Sequence, residues 1–258
     1  MTQAIATRNR PAWVELTTSD AAAARDFYAR LFDWRVEVSP DPQYGGYGIA
    51  KLDGADAAGI SPKQSPETPT AWGLYIGTDD VDATTSRAEA AGGTIVAAPF
   101  DVGDQGRMAV FQDPSGAVLS VWKANQMRDF STDATNAYGW AELNARGVAK
   151  AIPFYGEVFG WTSRESEMGE GQAPYTEFLL DGEPIAGAWE MNAAIPAEVP
   201  SYWQVYFLAD DVDAAYRKAL DLGATEMVEP VKFPGGRFAI VTDPQGASFG
   251  LLKMASGQ

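Results

Sequence analysis

The feature that most constrains this chain is an internal repeat. Trp13-Val14-Glu15-Leu16 returns as Trp140-Ala141-Glu142-Leu143, 127 positions later. Phe27-Tyr28 and Phe32-Asp33-Trp34 return at the same offset as Phe154-Tyr155 and Phe159-Gly160-Trp161. Asp79-Asp80-Val81-Asp82-Ala83 returns as Asp210-Asp211-Val212-Asp213-Ala214, and Gly106-Arg107 as Gly236-Arg237. Asp113-Pro114-Ser115-Gly116-Ala117 returns as Asp243-Pro244-Gln245-Gly246-Ala247. Such self-similarity means one structural unit used twice. The two units span 11–124 and 138–254, joined by a polar linker at 125–137. Each has the length of an ordinary domain. A composition that is 46% hydrophobic and 21% charged supplies enough apolar surface for a core.

Each unit divides again. A strand at 13–17 leads into a helix opened by Ser19/Asp20 that carries Phe27, Leu31 and Phe32 at helical spacing. These phenylalanines and their copies, Phe154 and Phe159, read as core. Short strands follow around 34–38, 47–52 and 57–60. A strand at 72–78 leads into a second helix, which Asp79 can cap and Gly92 can end. Strands follow around Ile95, 107–112 and 117–122. Asp113-Pro114-Ser115-Gly116 reads as a type I turn. The pattern is therefore α+β, with four modules of the form strand, helix, three strands. Pro153 breaks a local rule, because it falls in the helix interior of the second copy, where it removes a backbone bond and clashes with the preceding turn. The expectation is a helix that starts late or bends there.

Composition removes several functions. The chain has no Cys and no His. Disulfides, thiolate or Ser-His catalysis, and Cys- or His-ligated metal sites are all out of reach. Its 35 acidic and 19 basic residues give a formal charge of −16, which repels phosphate backbones and anionic lipid. The acids are scattered, so they also read simply as a solubilising surface. The Asp-Asp-x-Asp stretches lack the remaining spacing of a calcium loop and read as helix caps. Met1–Arg10 has no apolar signal region, and no apolar run approaches the roughly 20 residues of a membrane span. The expectation is a cytoplasmic monomer or weak homodimer with a small-molecule ligand and no nucleic-acid or membrane partner.

Four βαβββ modules carrying W-x-E-L, F-Y-x-x-x-F-x-W, D-D-V-D-A, G-R and D-P-x-G-A resemble the glyoxalase/bleomycin-resistance/dioxygenase (vicinal oxygen chelate) superfamily. The tandem two-unit subgroup, often labelled as hydroxylases, is the nearest likeness. The resemblance implies two tandem paired units whose mixed and antiparallel sheets curve into cups, with the helices outside. It leaves the reaction open, since the family holds lyases, ring-cleaving dioxygenases, epimerases, thiol transferases and proteins that only sequester an antibiotic. Metal-dependent members draw His and Glu ligands from the first and last strands of modules. Carried over, the first-strand positions fall at Trp13, Gly73, Trp140 and Gln204, and the last-strand positions near Gly59, Ser120, Gly187 and Gly250. Indole N–H is a donor only, so tryptophan is no ligand, and Gln204 is at most a weak one. The expectation is no metal and no cofactor.

Strand alternation predicts which side chains face the cups. Glu15 joins Trp13, Glu142 joins Trp140, Tyr75 joins Gly73, Tyr206 joins Gln204, and Val118 and Trp122 join Ser120. The pattern of paired-dimer relatives implies one cup holding Trp13, Glu15, Gln204, Tyr206 and Ser248. The other would hold Trp140, Glu142, Gly73, Tyr75, Ser120 and Trp122. Neighbouring modules pair instead in ring-cleaving dioxygenases. Aromatic walls beside small residues (Gly73, Ser120, Gly250) suit a flat, mostly apolar metabolite or antibiotic, although each aromatic could also simply fill the barrel. Glu15 and Glu142 are candidates for a general acid or base, or for the counter-charge to a cationic ligand. They could equally be held in ion pairs with Arg107 or Arg237. A purely binding protein and a metal-independent isomerase, cyclase or hydratase both remain open.

Overall fold

The computed structural model describes residues 8–126, 130–132, 134–167 and 174–255. The first module holds β1 (Pro11–Thr18), α1 (Ala21–Phe32), β2 (Arg35–Val38), β3 (Gly48–Leu52) and β4 (Ala55–Pro62). The second holds β5 (Ala71–Gly77), α2 (Val81–Ala90), β6 (Thr94–Val102), β7 (Gly106–Gln112) and β8 (Val118–Ala124). The third holds β9 (Tyr138–Ala145), α3 (Val148–Phe159), β10 (Thr162–Ser166), β11 (Tyr175–Leu180) and β12 (Glu183–Glu190). The fourth holds β13 (Tyr202–Leu208), α4 (Val212–Asp221), β14 (Thr225–Phe233), β15 (Gly236–Thr242) and β16 (Ser248–Met254). No helix among the described residues is long and apolar enough to cross a membrane.

Two eight-stranded mixed sheets result, in the orders β2-β3-β4-β1-β5-β8-β7-β6 and β10-β11-β12-β9-β13-β16-β15-β14. Each sheet is thus made by neighbouring modules. The expected cup membership is corrected on this point: Glu15 and Gln204 lie in different sheets, as do Glu142 and Tyr75. The packed cores follow another partition. Contacts gather the chain into two compact units, one built mainly on the second and third modules and the other on the first and fourth. The repeat in the sequence and the compact units are not the same division of the chain.

In the unit built on the first and fourth modules, the core is a nest of rings. Tyr28 is fully buried, meets Trp72 edge-on at 5.2 Å and contacts Phe249 at 5.4 Å, while Phe32 sits 4.9 Å from Phe207. Tyr28 Oη donates to Asp243 Oδ2 at 2.9 Å and accepts from Trp72 Nε1 at 2.9 Å. The other unit repeats the arrangement. Tyr155 Oη donates to Asp113 Oδ2 at 2.7 Å and accepts from Trp203 Nε1 at 3.0 Å. Two motifs that read as separate signatures, F-Y and D-P-x-G-A, are therefore partners in one buried network. Burial, reinforced by the neighbouring aspartate, holds both phenols well above the ordinary tyrosine range. The remaining oxygen of each aspartate ties its own turn, accepting from the backbone N–H groups of Ser115 and Ala117, or of Gln245 and Ala247.

Two local expectations change. Asp80, not Asp79, caps α2, its Oδ1 accepting from Ala83 N–H at 3.0 Å, while Asp79 pairs with Arg8 on the surface. The helix α3 does not start late: it runs Val148–Phe159 with Pro153 inside. Pro153 and Ala149 are both exposed, so the carbonyl that loses its donor can be met by water. Gly147, in the left-handed region at φ +86°, has no side chain to cap α3. Glu190 of β12 does so instead, its two oxygens accepting from the N–H groups of Gly147 and Val148 at 2.6 and 2.7 Å.

Candidate functional site

One register recurs in all four modules. The first strand of each runs parallel to the last, and the residue two places beyond the family's first-strand ligand position lies opposite its last-strand position. These pairs are Glu15–Gly59, Tyr75–Ser120, Glu142–Gly187 and Tyr206–Gly250. The residues between them turn to the other face: Val14 and Leu16, Leu74 and Ile76, Ala141 and Leu143, Val205 and Phe207 are all fully buried in the layer against the helices. Glu, Tyr, Glu and Tyr thus occupy equivalent places on the faces turned away from the helices.

The four places differ in what surrounds them. In the first module, Glu15 is half-buried and accepts from Ser61 Oγ at 2.9 Å. In the second, Tyr75 lies beside Ser120, while Met108 lies opposite Trp122 and Val110 opposite Ser120. The Trp122 ring rests against Gly106, where a Cβ would come within 2.6 Å of it, and Lys123 O is nearer still, at 2.3 Å. That contact accounts for the glycine of the G-R pair. Tyr75 and Trp122 are half-buried, so this face keeps some accessible aromatic surface.

In the third module, Glu142 is half-buried and accepts from Asn144 Nδ2 at 3.2 Å. Its partner position, Gly187, is covered by Tyr175, whose hydroxyl would lie 1.9 Å from a Cβ. The fourth module is closed. Gln204 is 1% exposed and Tyr206 5%, and the Tyr206 ring occupies the space over Gly250, 1.9 Å from where a Cβ would stand. Gln204 is engaged on both ends, accepting from Ser248 Oγ at 3.1 Å and donating to Val205 O at 3.2 Å. The expectation that Gly250 leaves room for a ligand is therefore corrected: the neighbouring tyrosine fills it. Trp13 and Trp140 are half-buried, each on the face that carries Glu15 or Glu142.

The arginines expected to hold the two glutamates are committed elsewhere. Arg107 makes a bidentate pair with Asp82 at 2.8 and 2.9 Å and reaches Asp101 at 3.0 Å. Arg237 makes the same pair with Asp213, at 2.7 Å on both arms. Both aspartates lie in the first turns of α2 and α4. Alternation along β7 and β15 puts Arg107 with buried Ala109 and Phe111, and Arg237 with buried Ala239 and Val241, on the helix side of the sheets. The second residue of G-R thus clamps a hairpin to a helix N-terminus. It is neither an anion clamp nor a partner for Glu15 or Glu142.

The donor set at the eight metal-ligand positions is Trp13, Gly59, Gly73, Ser120, Trp140, Gly187, Gln204 and Gly250. These residues do not fit a transition-metal ion. Indole offers no lone pair, glycine offers no side chain, Gln204 is spent within the protein, and the spaces over Gly187 and Gly250 are taken. Among the described residues, no three carboxylates gather where they could hold a metal.

Fold and repeat together define a tandem βαβββ protein whose paired modules make one sheet each. The sequence profile of the Glyoxalase/Bleomycin resistance protein/Dioxygenase superfamily matches residues 10–121 and 137–251, and the chain belongs to that superfamily. It is 39% identical over 256 residues to CFP32 of Mycobacterium tuberculosis, a protein named as a glyoxylase, with 96% of each chain covered. It is 35% identical over 262 residues to the anthracycline biosynthesis protein DnrV of Streptomyces peucetius, covering 96% of this chain and 94% of that one. Among solved structures, the Mn(II)-bound glyoxalase from Novosphingobium aromaticivorans matches with a TM-score of 0.65 at 16% identity, over 96% of this chain and 84% of that one. The 2,3-dioxygenase LapB from Pseudomonas sp. KL28 matches with a TM-score of 0.62 at 15% identity, over 94% and 91%. At these identities the structures speak to fold alone.

Proposed function

We propose that this chain binds a flat, largely apolar or aromatic small molecule without a resident transition metal. The observation that carries the reading is the set of eight ligand positions, which offers tryptophan, glycine, serine and one internally bonded glutamine in place of His and Glu. The half-buried Tyr75 and Trp122, with Ser120, Met108 and Val110 on the same face, supply stacking surface and one hydroxyl. The closed face of Gln204, Tyr206 and Ser248 supplies structure. Kinship with a protein named for anthracycline biosynthesis supports a fused-ring ligand, since an anthracycline is a fused polycycle. A second reading, a metal-independent isomerase, cyclase or hydratase, is favoured by the half-buried Glu142 carboxylate and its amide donor Asn144.

Elemental analysis after purification without chelators tests the metal half of the proposal. Zinc, manganese, iron and nickel should each be present well below one per chain. Any of them held stoichiometrically overturns it.

A further inference from the structure

Two residues near Glu142 differ in kind from their repeat partners: Trp189 stands where the first copy has Ser61, and Tyr202 where it has Ala71. Glu15 meets a serine hydroxyl. Glu142 shares its face of the sheet with aromatic side chains. Tyr175 covers Gly187, the residue directly opposite Glu142 in the register. Trp189 stands two places beyond Gly187 and opposite Asn144, so alternation sets its half-buried indole on the same face. The N–H of Arg146 donates to Ser201 Oγ at 3.4 Å, which lays the start of β13 beside the end of β9. Tyr202, the first residue of β13, is brought into the field of the Glu142 carboxylate. Burial first, and that charge second, raise its phenol above the ordinary tyrosine range, so it stays neutral.

We infer that Glu142, Tyr175, Trp189 and Tyr202 form a subsite for the ammonium group of an amine-bearing aromatic ligand. A carboxylate supplies the counter-charge, and electron-rich ring faces attract a cation in the same way while leaving it less hydrated. Asn144, with its amide N–H turned to Glu142 Oε1, holds the carboxylate in place. The whole-chain charge of −16 adds a long-range field that favours cationic over anionic ligands. This inference rests on the flat-ligand reading and adds a charge to the ligand.

The test uses two isosteric probes, 1-naphthylmethylammonium and 1-naphthylmethanol, titrated calorimetrically into the full chain at neutral pH and physiological salt. The ammonium should bind about tenfold more tightly than the alcohol. Glu142→Gln, which keeps shape and hydrogen-bonding capacity, should abolish that preference while leaving the affinity for the alcohol within about twofold. Tyr202→Phe should keep the preference, because the ring face remains, whereas Tyr202→Leu should weaken ammonium binding severalfold. Equal affinity for the two probes, or a preference that survives Glu142→Gln, overturns the ammonium subsite while leaving the flat-ligand reading in place. Failure of both probes to bind overturns both.

Discussion

Tyr28 Oη donates to Asp243 Oδ2 at 2.9 Å, joining residues 215 positions apart. The equivalent bond, Tyr155 to Asp113, spans 42. Each repeat thus supplies a tyrosine to one buried network and an aspartate to the other. A half-chain has both residue types but not the partners they meet here.

The first prediction concerns that bond. Tyr28→Phe keeps the ring packing and removes the hydroxyl, which leaves the Trp72 indole N–H and one oxygen of the buried Asp243 unsatisfied. The loss should be about 3 kcal/mol, at the upper end for a deleted partner because one orphan is a carboxylate. Urea unfolding should show a lower midpoint with an unchanged slope. A change below about 0.5 kcal/mol would mean that water replaces the hydroxyl and that the network contributes little.

Alkaline titration gives the second. Both buried phenols have folded-state pKa values raised above the unfolded value. Such groups contribute stability that is present below the unfolded pKa, near 10, and is lost as pH climbs from there toward the folded pKa. Stability should therefore fall above about pH 10. Of the ten tyrosines, Tyr28 and Tyr155 should yield phenolate absorbance only as the protein unfolds. Reversible ionisation of all ten before any loss of tertiary signal would contradict the burial and bonding described.

A pair of glycines supplies the third. A Cβ on Gly250 would stand 1.9 Å from the buried Tyr206 ring, and one on Gly187 would stand 1.9 Å from the Tyr175 hydroxyl. The Tyr206 ring is confined, whereas the tip of half-buried Tyr175 can swing outward. Gly250→Ala should cost about 1–3 kcal/mol through overpacking. Gly187→Ala should cost clearly less but alter ligand affinity, because Tyr175 must leave its place beside Glu142. Equal destabilisation by both would show that the two faces are equally closed.

Much of this was legible in the sequence. The repeat, together with the strand, helix, three-strand pattern inside each copy, gives four like modules, and alternation sets Val14, Leu16, Ala141 and Leu143 on one face and Glu15 and Glu142 on the other. The partners were not legible. F-Y and D-P-x-G-A each make local sense as helix core and turn, so nothing local says that Tyr28 reaches Asp243. Arg107 follows a glycine at a strand start in either orientation, and only the register that sets it opposite Lys123 decides its face. Which modules share a sheet is a choice between two pairings with the same local hydrogen bonds. Tyr175, which recurs as Tyr47 ahead of the shared Leu-Asp-Gly turn, escaped notice because it lies outside the first and last strands that the family's ligand pattern singles out, and Tyr202 because it does not recur: Ala71, not tyrosine, opens β5 as Tyr202 opens β13.

The central claim is metal-independent binding of a flat ligand. It is tested most directly by titrating the chain with 1,4-dihydroxyanthraquinone while following tryptophan fluorescence, once in excess EDTA and once with added Mn(II). Fluorescence should be quenched with a micromolar dissociation constant, roughly −8 kcal/mol, unchanged between the two conditions. Binding that appears only with Mn(II), or no binding in either condition, would contradict it.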